Sequence, residues 1–130
     1  MSVFSQSSLD KLSSCHDDLK RVVEEVIKVL DFKVLEGHRG EEAQTRAFRE
    51  GKSKVKWPES KHNGYPSTAV DLAPYPIDWK DRERFVHLAG VVKGIAHSMG
   101  IPVRWGGDWD GDGNIVEHKF QDLPHFELVG

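Results

Sequence analysis

Apolar side chains near the amino terminus recur with the period of an amphipathic helix. In "SSLDKLSSCHDDLKRVVEEVIKVL", residues 7–30, charged residues separate the apolar positions, as on a helix with one side against a core. The positions that share this face are Leu9, Leu12, Leu19, Val23, Val26, Ile27 and Leu30. Asp17 or Asp18 is a candidate cap for a restart of the helix after the polar letters "SSCH".

Two further segments have helical patterns. "EEAQTRAFREGK" predicts a second helix that ends at Gly51. Residues 78–101 predict a third helix, with Asp78 as its cap and Gly100 at its end. One face of this third helix carries Phe85, Leu88, Val92, Ile95 and Met99.

Short apolar segments between the helices are predicted as strands. They are residues 32–35, "TAVDLAPY", "PVRWGGDW" and the carboxy-terminal "HFELV". In "HFELV", His125, Glu127 and Val129 share one face of the strand, because successive side chains alternate. The order helix, strand, helix, strand, helix, strand, strand predicts an α+β fold in which a mostly antiparallel sheet packs against helices.

The composition predicts a single globular domain that covers residues 1–130. Hydrophobic residues make up 38% and charged residues 30% of the 130 positions, a balance typical of folded domains. The formal net charge is -3 and the pI is about 6.1, so no global basic field indicates a nucleic-acid partner. The basic cluster "GKSKVK" is interpreted as a solvated loop.

The cysteine count and the hydropathy of the chain indicate the cellular compartment in which the protein is made. Cys15 is the single cysteine, which excludes an intrachain disulfide and makes a reducing compartment the default. No apolar run approaches the ~20 residues of a membrane span, and the amino terminus lacks a signal-peptide pattern. We therefore expect synthesis in the cytoplasm, no membrane insertion and a monomeric protein.

Three polar residues lie at the edge of a predicted strand or in a loop beside one, where side chains from distant parts of a chain can converge. His62, Asp71 and His125 would suit an open zinc site, in which three protein ligands leave a fourth position for water. Asp122, three residues before His125, would supply a base. A polar turn without metal is the alternative, because isolated His and Asp in loops are common.

The segments "EGHRG", "SKHNGYPSTAVDLAPY" and "RWGGDW…DLPHFEL" together resemble the zinc peptidases of the VanY and D-alanyl-D-alanine carboxypeptidase group. They are most similar to the branch of phage L-alanyl-D-glutamate endopeptidases, which serve as endolysins. The family pattern is S-x-H, a spacer, A-x-D, and a carboxylate separated by two residues from a final histidine. The residues that fill it in order are Ser60, His62, Ala69, Asp71, Asp122 and His125.

The chain departs from this pattern in two places. In many members the spacer is shorter and carries a glycine two places before the alanine, where this chain has Ser67. The catalytic acid is glutamate in some members, whereas Asp122 takes its place here. The first departure concerns the loop conformation, and the second demands a closer approach of the carboxylate to the water.

The resemblance implies a role for each matching residue. His62, Asp71 and His125 would bind Zn²⁺ at the edge of the sheet, and Asp122 would transfer the proton. Arg39 would face the substrate, where it stabilises the oxyanion or pairs with a stem-peptide carboxylate; the alternative is a surface ion pair with Glu36 or Glu41. Further candidates are Ser60 as support of the ligand loop, Gln44 as a polar contact, and His38 as a cleft residue or a bystander.

The acidic segment "DWDGDGN" matches part of a calcium-binding loop. Asp108, Asp110, Asp112 and Asn114 occupy positions one, three, five and seven of an EF-hand loop. The match breaks at Lys119, which stands where a bidentate glutamate belongs. The segment is therefore interpreted either as a Ca²⁺ site or as an acidic hairpin loop.

The activity that the resemblance implies is hydrolysis of an amide bond in bacterial peptidoglycan stem peptides. We expect an L-alanyl-D-glutamate endopeptidase that acts as a phage endolysin, reaching the cell wall in the periplasm after the membrane is permeabilised. One alternative is a D,D-carboxypeptidase that removes terminal D-alanine. The other is a non-catalytic module that binds zinc or peptide.

Overall fold

The computed structural model describes residues 4–108 and 122–129. The helices of this part are α1 (Gln6–Leu12), α2 (Asp17–Val26), α3 (Glu41–Arg49) and α4 (Arg82–Ser98), with a 3-10 turn at Lys61–Asn63. The strands are β1 (Phe32–Glu36), β2 (Ala69–Pro74), β3 (Val103–Trp105) and β4 (His125–Leu128).

The strands form one antiparallel sheet in the order β1-β2-β4-β3. The predicted α+β class with an antiparallel sheet against helices is confirmed. The central pair is β2 and β4, and in its register Asp71 lies opposite His125 while Val70 lies opposite Phe126. Directly opposed residues share a face of the sheet, so this register separates a polar face from an apolar one.

The apolar face of the sheet is covered by helices. α4 packs against β2 and β3, α2 packs against α4, and α1 contacts β1. Val70, Leu72 and Phe126 are fully buried in the resulting core, together with side chains of α2 and α4. This leaves Asp71 and His125 on the opposite face, away from the main core.

The first predicted helix is two helices, α1 and α2, separated at Ser13–His16. The break occurs because this segment pairs with the loop before β2: the Ser67 N–H donates to the Ser14 carbonyl at 2.8 Å, and the His16 N–H donates to the Ser67 carbonyl at 2.7 Å. The cap of α2 is His16 and not Asp17 or Asp18, because its Nδ1 accepts from the Asp18 N–H at 3.0 Å.

α4 begins at Arg82, four residues after the predicted cap Asp78. Asp78 instead shapes a turn, in which its carboxylate accepts from the Lys80 N–H at 3.0 Å, and Asp81 is the cap. Gly100 ends the helix as predicted, with a φ of 72° that favours glycine. Among the described helices, none is long and apolar enough to cross a membrane.

Candidate metal centre

Three side chains that are far apart in the sequence meet on the polar face of the sheet. His62 Nε2 lies 3.2 Å from Asp71 Oδ1 and 3.3 Å from His125 Nδ1, and His125 Nδ1 lies 3.3 Å from Asp71 Oδ1. Both histidines are buried, whereas the Asp71 side chain remains 16% exposed. The three atoms form a nearly equilateral triangle with one side accessible from the cleft.

Hydrogen bonds on the far side of each ring fix which nitrogen faces the triangle. His62 Nδ1 lies 2.7 Å from the Gly37 carbonyl oxygen, to which only an N–H can donate. His125 Nε2 lies 2.8 Å from a carboxylate oxygen of Glu127. The neutral tautomers that satisfy both contacts point the lone pairs of His62 Nε2 and His125 Nδ1 into the triangle.

The triangle has the size that a tetrahedral zinc ion requires. Zinc binds histidine nitrogen and carboxylate oxygen at about 2.0–2.2 Å, which places neighbouring ligand atoms about 3.3 Å apart in a tetrahedron. The three measured separations are 3.2, 3.3 and 3.3 Å. A set of two imidazoles and one carboxylate also suits a divalent transition metal, so the residues present fit the predicted ion.

The fold brings the ligands together by two means. Asp71 and His125 face each other across the central strands because they are register partners of β2 and β4. His62 comes from the 3-10 turn, where the Ser60 hydroxyl accepts from the His62 N–H at 3.2 Å. The site is predicted at the edge of the sheet. It lies where β4 begins, so this edge is formed by the ends of the central strands β2 and β4 and not by an outer strand.

Gly37 packs closely against the end of α1 and supports His62 through its carbonyl group. A Cβ at this position would collide with the Lys11 carbonyl oxygen and the Ser14 hydroxyl at the end of α1. The absence of a side chain lets the end of β1 approach α1 closely enough to present its carbonyl to His62. Close packing against α1 therefore explains why the first glycine of "EGHRG" has no side chain.

Arg39 is held beside the triangle by three neighbours. Its Nη2 lies 3.8 Å from Asp71 Oδ2, its Nε lies 3.3 Å from Glu36 Oε2, and its Nη1 donates to Gln44 Oε1 at 3.0 Å. The ion pair with Glu36 is the local alternative that the sequence suggested. Arg39 forms this ion pair and also contacts Oδ2 of Asp71, a candidate metal ligand.

A buried amide network lies behind Arg39. Gln44 is 0% exposed, and its carboxamide donates to Ser53 Oγ at 2.9 Å and to the Val55 carbonyl at 2.7 Å. Its oxygen also accepts from Asn63 Nδ2 at 3.1 Å. The sequence assigns no role to Asn63 or Glu127, because neither fills a position of the family pattern and only the fold reveals their hydrogen-bond partners.

Asp122 lines the same cleft as His62, Asp71 and His125. The Asp122 N–H donates to the Gly106 carbonyl at 2.9 Å, and a Cβ on Gly106 would collide with the Asp122 carbonyl. This close approach of the chain after β3 fixes the backbone of Asp122 immediately before β4.

The charges of the site act on one another. Burial raises the pKa of Asp71, but hydrogen bonds from His125 and His62 outweigh burial and hold this pKa well below the usual range. Burial lowers the pKa of His125, whereas the bonds to Asp71 and Glu127 raise it to about 9. Burial, followed by the charge of Asp71, raises the pKa of Asp122. A cation that binds here must therefore displace a proton from His125.

The remaining predicted residues take other positions. Ser60 borders the cleft, and Gln44 lies behind Arg39. His38 points to the following loop, where its Nδ1 lies 2.8 Å from the Gly64 carbonyl oxygen and its ring contacts Tyr65 edge-on. Asp108 is buried after β3, whereas Asp110, Asp112 and Asn114 lie outside the described residues, so the calcium site stays a prediction.

Comparison with known proteins identifies the family. The sequence profile of the phage L-alanyl-D-glutamate peptidase family matches residues 1–129. The chain belongs to this family. It is 28% identical to the L-alanyl-D-glutamate peptidase of Escherichia phage T5, over 97% of this chain and 97% of that protein. It is also similar to the crystal structure of the Serratia marcescens L-Ala D-Glu endopeptidase ChiX, with a TM-score of 0.76, 30% identity, and coverage of 97% of this chain and 89% of that one.

Membership of the phage L-alanyl-D-glutamate peptidase family confirms the predicted resemblance and the prediction of a peptidase. The cluster of His62, Asp71 and His125 is consistent with a bound metal ion. The identity of that ion and the individual roles of the residues remain predictions, which the geometry above makes specific.

Proposed function

We propose that this protein hydrolyses the amide bond between L-alanine and D-glutamate in peptidoglycan stem peptides, with zinc held by His62, Asp71 and His125. The observation that carries the proposal is the triangle of His62 Nε2, Asp71 Oδ1 and His125 Nδ1, whose sides of 3.2–3.3 Å match tetrahedral zinc. Membership of a family of L-alanyl-D-glutamate peptidases supports the choice of bond.

The chain's own residues prepare the site for the ion. When bound, zinc supplies Lewis acidity, which polarises a carbonyl group and makes a water molecule more acidic. Gly37 and Glu127 hold the two imidazoles in the tautomers that direct Nε2 of His62 and Nδ1 of His125 inward. Asp71 contributes Oδ1, while its Oδ2 faces the Arg39 guanidinium.

Asp122 acts as the proton carrier. Burial and the negative charge of Asp71 raise the pKa of Asp122, which makes this carboxylate a stronger base than an exposed aspartate. It accepts a proton from the attacking water, and it then donates that proton to the leaving amine of D-glutamate. The same carboxyl group thus serves as base in the first step and as acid in the second.

Arg39 has a positioning role and an electrostatic one. Its contact with Asp71 Oδ2 keeps Asp71 Oδ1 turned toward the histidines, and Glu36 and Gln44 hold the guanidinium in place. The guanidinium also borders the cleft. Its charge there stabilises the negative charge that develops on the scissile carbonyl oxygen.

The proposed biological setting is bacterial lysis by a phage. Residues 1–130 form one catalytic domain that works as a monomer, and it reaches the peptidoglycan of the periplasm once the membrane is permeabilised. Family membership supports a cell-wall peptide as the substrate.

Mass spectrometry of purified peptidoglycan after digestion tests the bond that is cleaved. We expect peptides with a new amino-terminal D-glutamate, and glycan fragments that retain L-alanine alone. Loss of only the terminal D-alanine would assign the D,D-carboxypeptidase activity instead.

A variant of the base separates catalysis from binding. Asp122→Asn should reduce hydrolysis to background while the zinc content stays at about one ion per chain, because Asp122 is not a ligand. Asp18→Asn, in an exposed ion pair of α2, is the matched control and should retain full activity. Unchanged hydrolysis in Asp122→Asn would contradict the assigned role, and a wild-type chain that binds zinc without hydrolysis would be a binding module.

A further inference from the structure

The cleft beside the candidate metal centre extends along α3, where it is lined by both cations and carboxylates. A stripe formed by one side of this helix and its C-cap lines the cleft: Ala43, Arg46, Ala47 and Glu50. Each of these positions is three or four residues from two of the others, so they cluster on one side of the helix. The buried amide of Gln44 anchors the other side of α3.

The cations that line this cleft differ in their partners. The Arg39 guanidinium is occupied by Glu36, Gln44 and Asp71, as described above. Lys52 Nζ lies 3.3 Å from Glu50 Oε1. Arg46 lines the same cleft and is exposed, and it forms no ion pair with any residue in the part of the chain that the structure describes. Of the cations that line this cleft in the described part of the chain, Arg46 is thus the one available to bind a ligand.

Another cation, Lys61, lies near the site but outside this cleft. Lys61 borders a neighbouring depression that also includes His125 and Glu127. Burial raises the pKa of Glu127, whereas the hydrogen bond and charge of His125, followed by the charges of Arg104 and Lys61, lower it. Lys61 therefore faces a carboxylate of the protein, in contrast to Arg46.

The substrate of the proposed reaction provides a matching anion. A D-glutamyl residue has two carboxyl groups, and the stem peptide continues through only one of them. The other is a free carboxylate on the residue whose amine is released. A guanidinium binds such a group through two parallel N–H···O bonds, which adds geometric selectivity to the charge.

Building on the proposed function, we infer that Arg46 is a specificity-determining residue that binds the free carboxylate of the substrate's D-glutamyl residue. The leaving side of the substrate then lies along the Ala43–Glu50 stripe of α3, and Arg39 remains beside Asp71. Recognition at Arg46 favours stem peptides with an acidic D-glutamyl residue over those in which this carboxyl group is a primary amide.

Two synthetic stem peptides test this inference, identical except that the free D-glutamyl carboxyl group is an acid in one and a primary amide in the other. For the wild-type chain we expect kcat/KM to be roughly 10- to 100-fold higher on the acid, the usual range for a charge-assisted hydrogen bond. Arg46→Gln should lose this factor on the acid and change by less than about threefold on the amide. On the acid, Arg46→Lys should have a kcat/KM between those of the wild-type chain and Arg46→Gln, because lysine keeps the charge but loses the bidentate geometry.

Arg49→Gln is the matched control, since Arg49 is exposed on the same helix but is not among the residues that line the cleft. It should leave kcat/KM unchanged on both peptides, and zinc content and thermal unfolding should be the same for every variant. Equal wild-type rates on the acid and the amide, or an equal loss in Arg46→Gln on both, would overturn the role of Arg46 while the proposed reaction stands. Failure of the wild-type chain to cleave either peptide would overturn the proposed reaction itself.

Discussion

Glu127 holds the ring of His125 from behind: its carboxylate oxygen lies 2.8 Å from His125 Nε2, and both side chains are buried. The two residues share a face of β4 because they are two positions apart. Burial alone would raise the pKa of Glu127, but the hydrogen bond and charge of His125 lower it below its usual value. The carboxylate therefore stays ionised and directs Nδ1 of His125 toward Asp71 and His62.

Glu127→Gln should weaken zinc binding. A glutamine keeps the shape but can present its amide N–H to His125, which disfavours the tautomer with a free Nδ1 lone pair. We expect a loss of roughly 10- to 100-fold in affinity, the usual effect of removing a carboxylate that orients a metal-binding histidine. Competition with a fluorescent chelator measures it.

Glu24→Gln, at an exposed position of α2, is the control for that measurement. An affinity for zinc in Glu127→Gln equal to that of the wild-type chain would show that His125 does not depend on this carboxylate.

Gly37→Ala should lower both stability and zinc affinity. The added Cβ would collide with the Lys11 carbonyl and the Ser14 hydroxyl, and relief of the collision would move the carbonyl that orients His62. Overpacking of this kind costs about 1–3 kcal/mol, which urea unfolding measures.

Gly90→Ala provides the opposite case, because a Cβ added at this exposed position of α4 would point into open space. It should stabilise the chain by up to about 1 kcal/mol through helix propensity. Equal changes in the free energy of unfolding in Gly37→Ala and Gly90→Ala would show that close packing does not require a glycine at position 37.

Gln44→Met should destabilise the fold and loosen Arg39. Methionine has a similar length, but it removes both amide donors and the oxygen that accepts from Arg39 and Asn63. Buried groups left without partners cost about 1–3 kcal/mol, so thermal unfolding should occur at a lower temperature. Gln6→Met, at an exposed position of α1, should change the unfolding temperature little; a similarly small change in Gln44→Met would refute the structural importance of the network.

The sequence carries the ligands of the site but not their supports. His62, Asp71 and His125 are identified by spacing and order, because metal binding demands particular residue types. Strand alternation places Glu127 on the same face as His125, but it does not specify that the carboxylate accepts a hydrogen bond from the imidazole. Gln44 and Asn63 are similar: they are 19 positions apart, and a glutamine on a helix is commonly exposed.

The limits of helix prediction have a comparable cause. Residues 7–30 have a continuous helical period, yet the chain breaks at Ser13–His16 because Ser14 and His16 hydrogen-bond to Ser67, a partner more than 50 positions away. At the third predicted helix, Asp78 is the predicted cap, but Asp78 shapes a turn and Asp81 is the actual cap. Strands are easier to predict here, since β2 is a short apolar run bounded by Pro74 and Pro76 and β4 alternates polar and apolar side chains.

The Cys15 thiol should be inert in the folded protein. Burial raises its pKa to about 11 from an ordinary value of 9.0. Because the folded pKa lies above the unfolded one, the associated stabilisation is complete below pH 9.0 and is lost as the pH rises toward about 11. A thiol reagent at pH 8 should react slowly with the native chain and rapidly in urea; equal rates would contradict burial of this group.

Anomalous diffraction at the zinc edge, from crystals grown with one equivalent of zinc, tests the central claim most directly. We predict a single strong peak bonded to His62 Nε2, Asp71 Oδ1 and His125 Nδ1 at about 2.0–2.2 Å, with Glu127 hydrogen-bonded to His125 on the far side of the ring. A peak elsewhere, or a zinc ion bonded to His125 through Nε2, would contradict this account of the site.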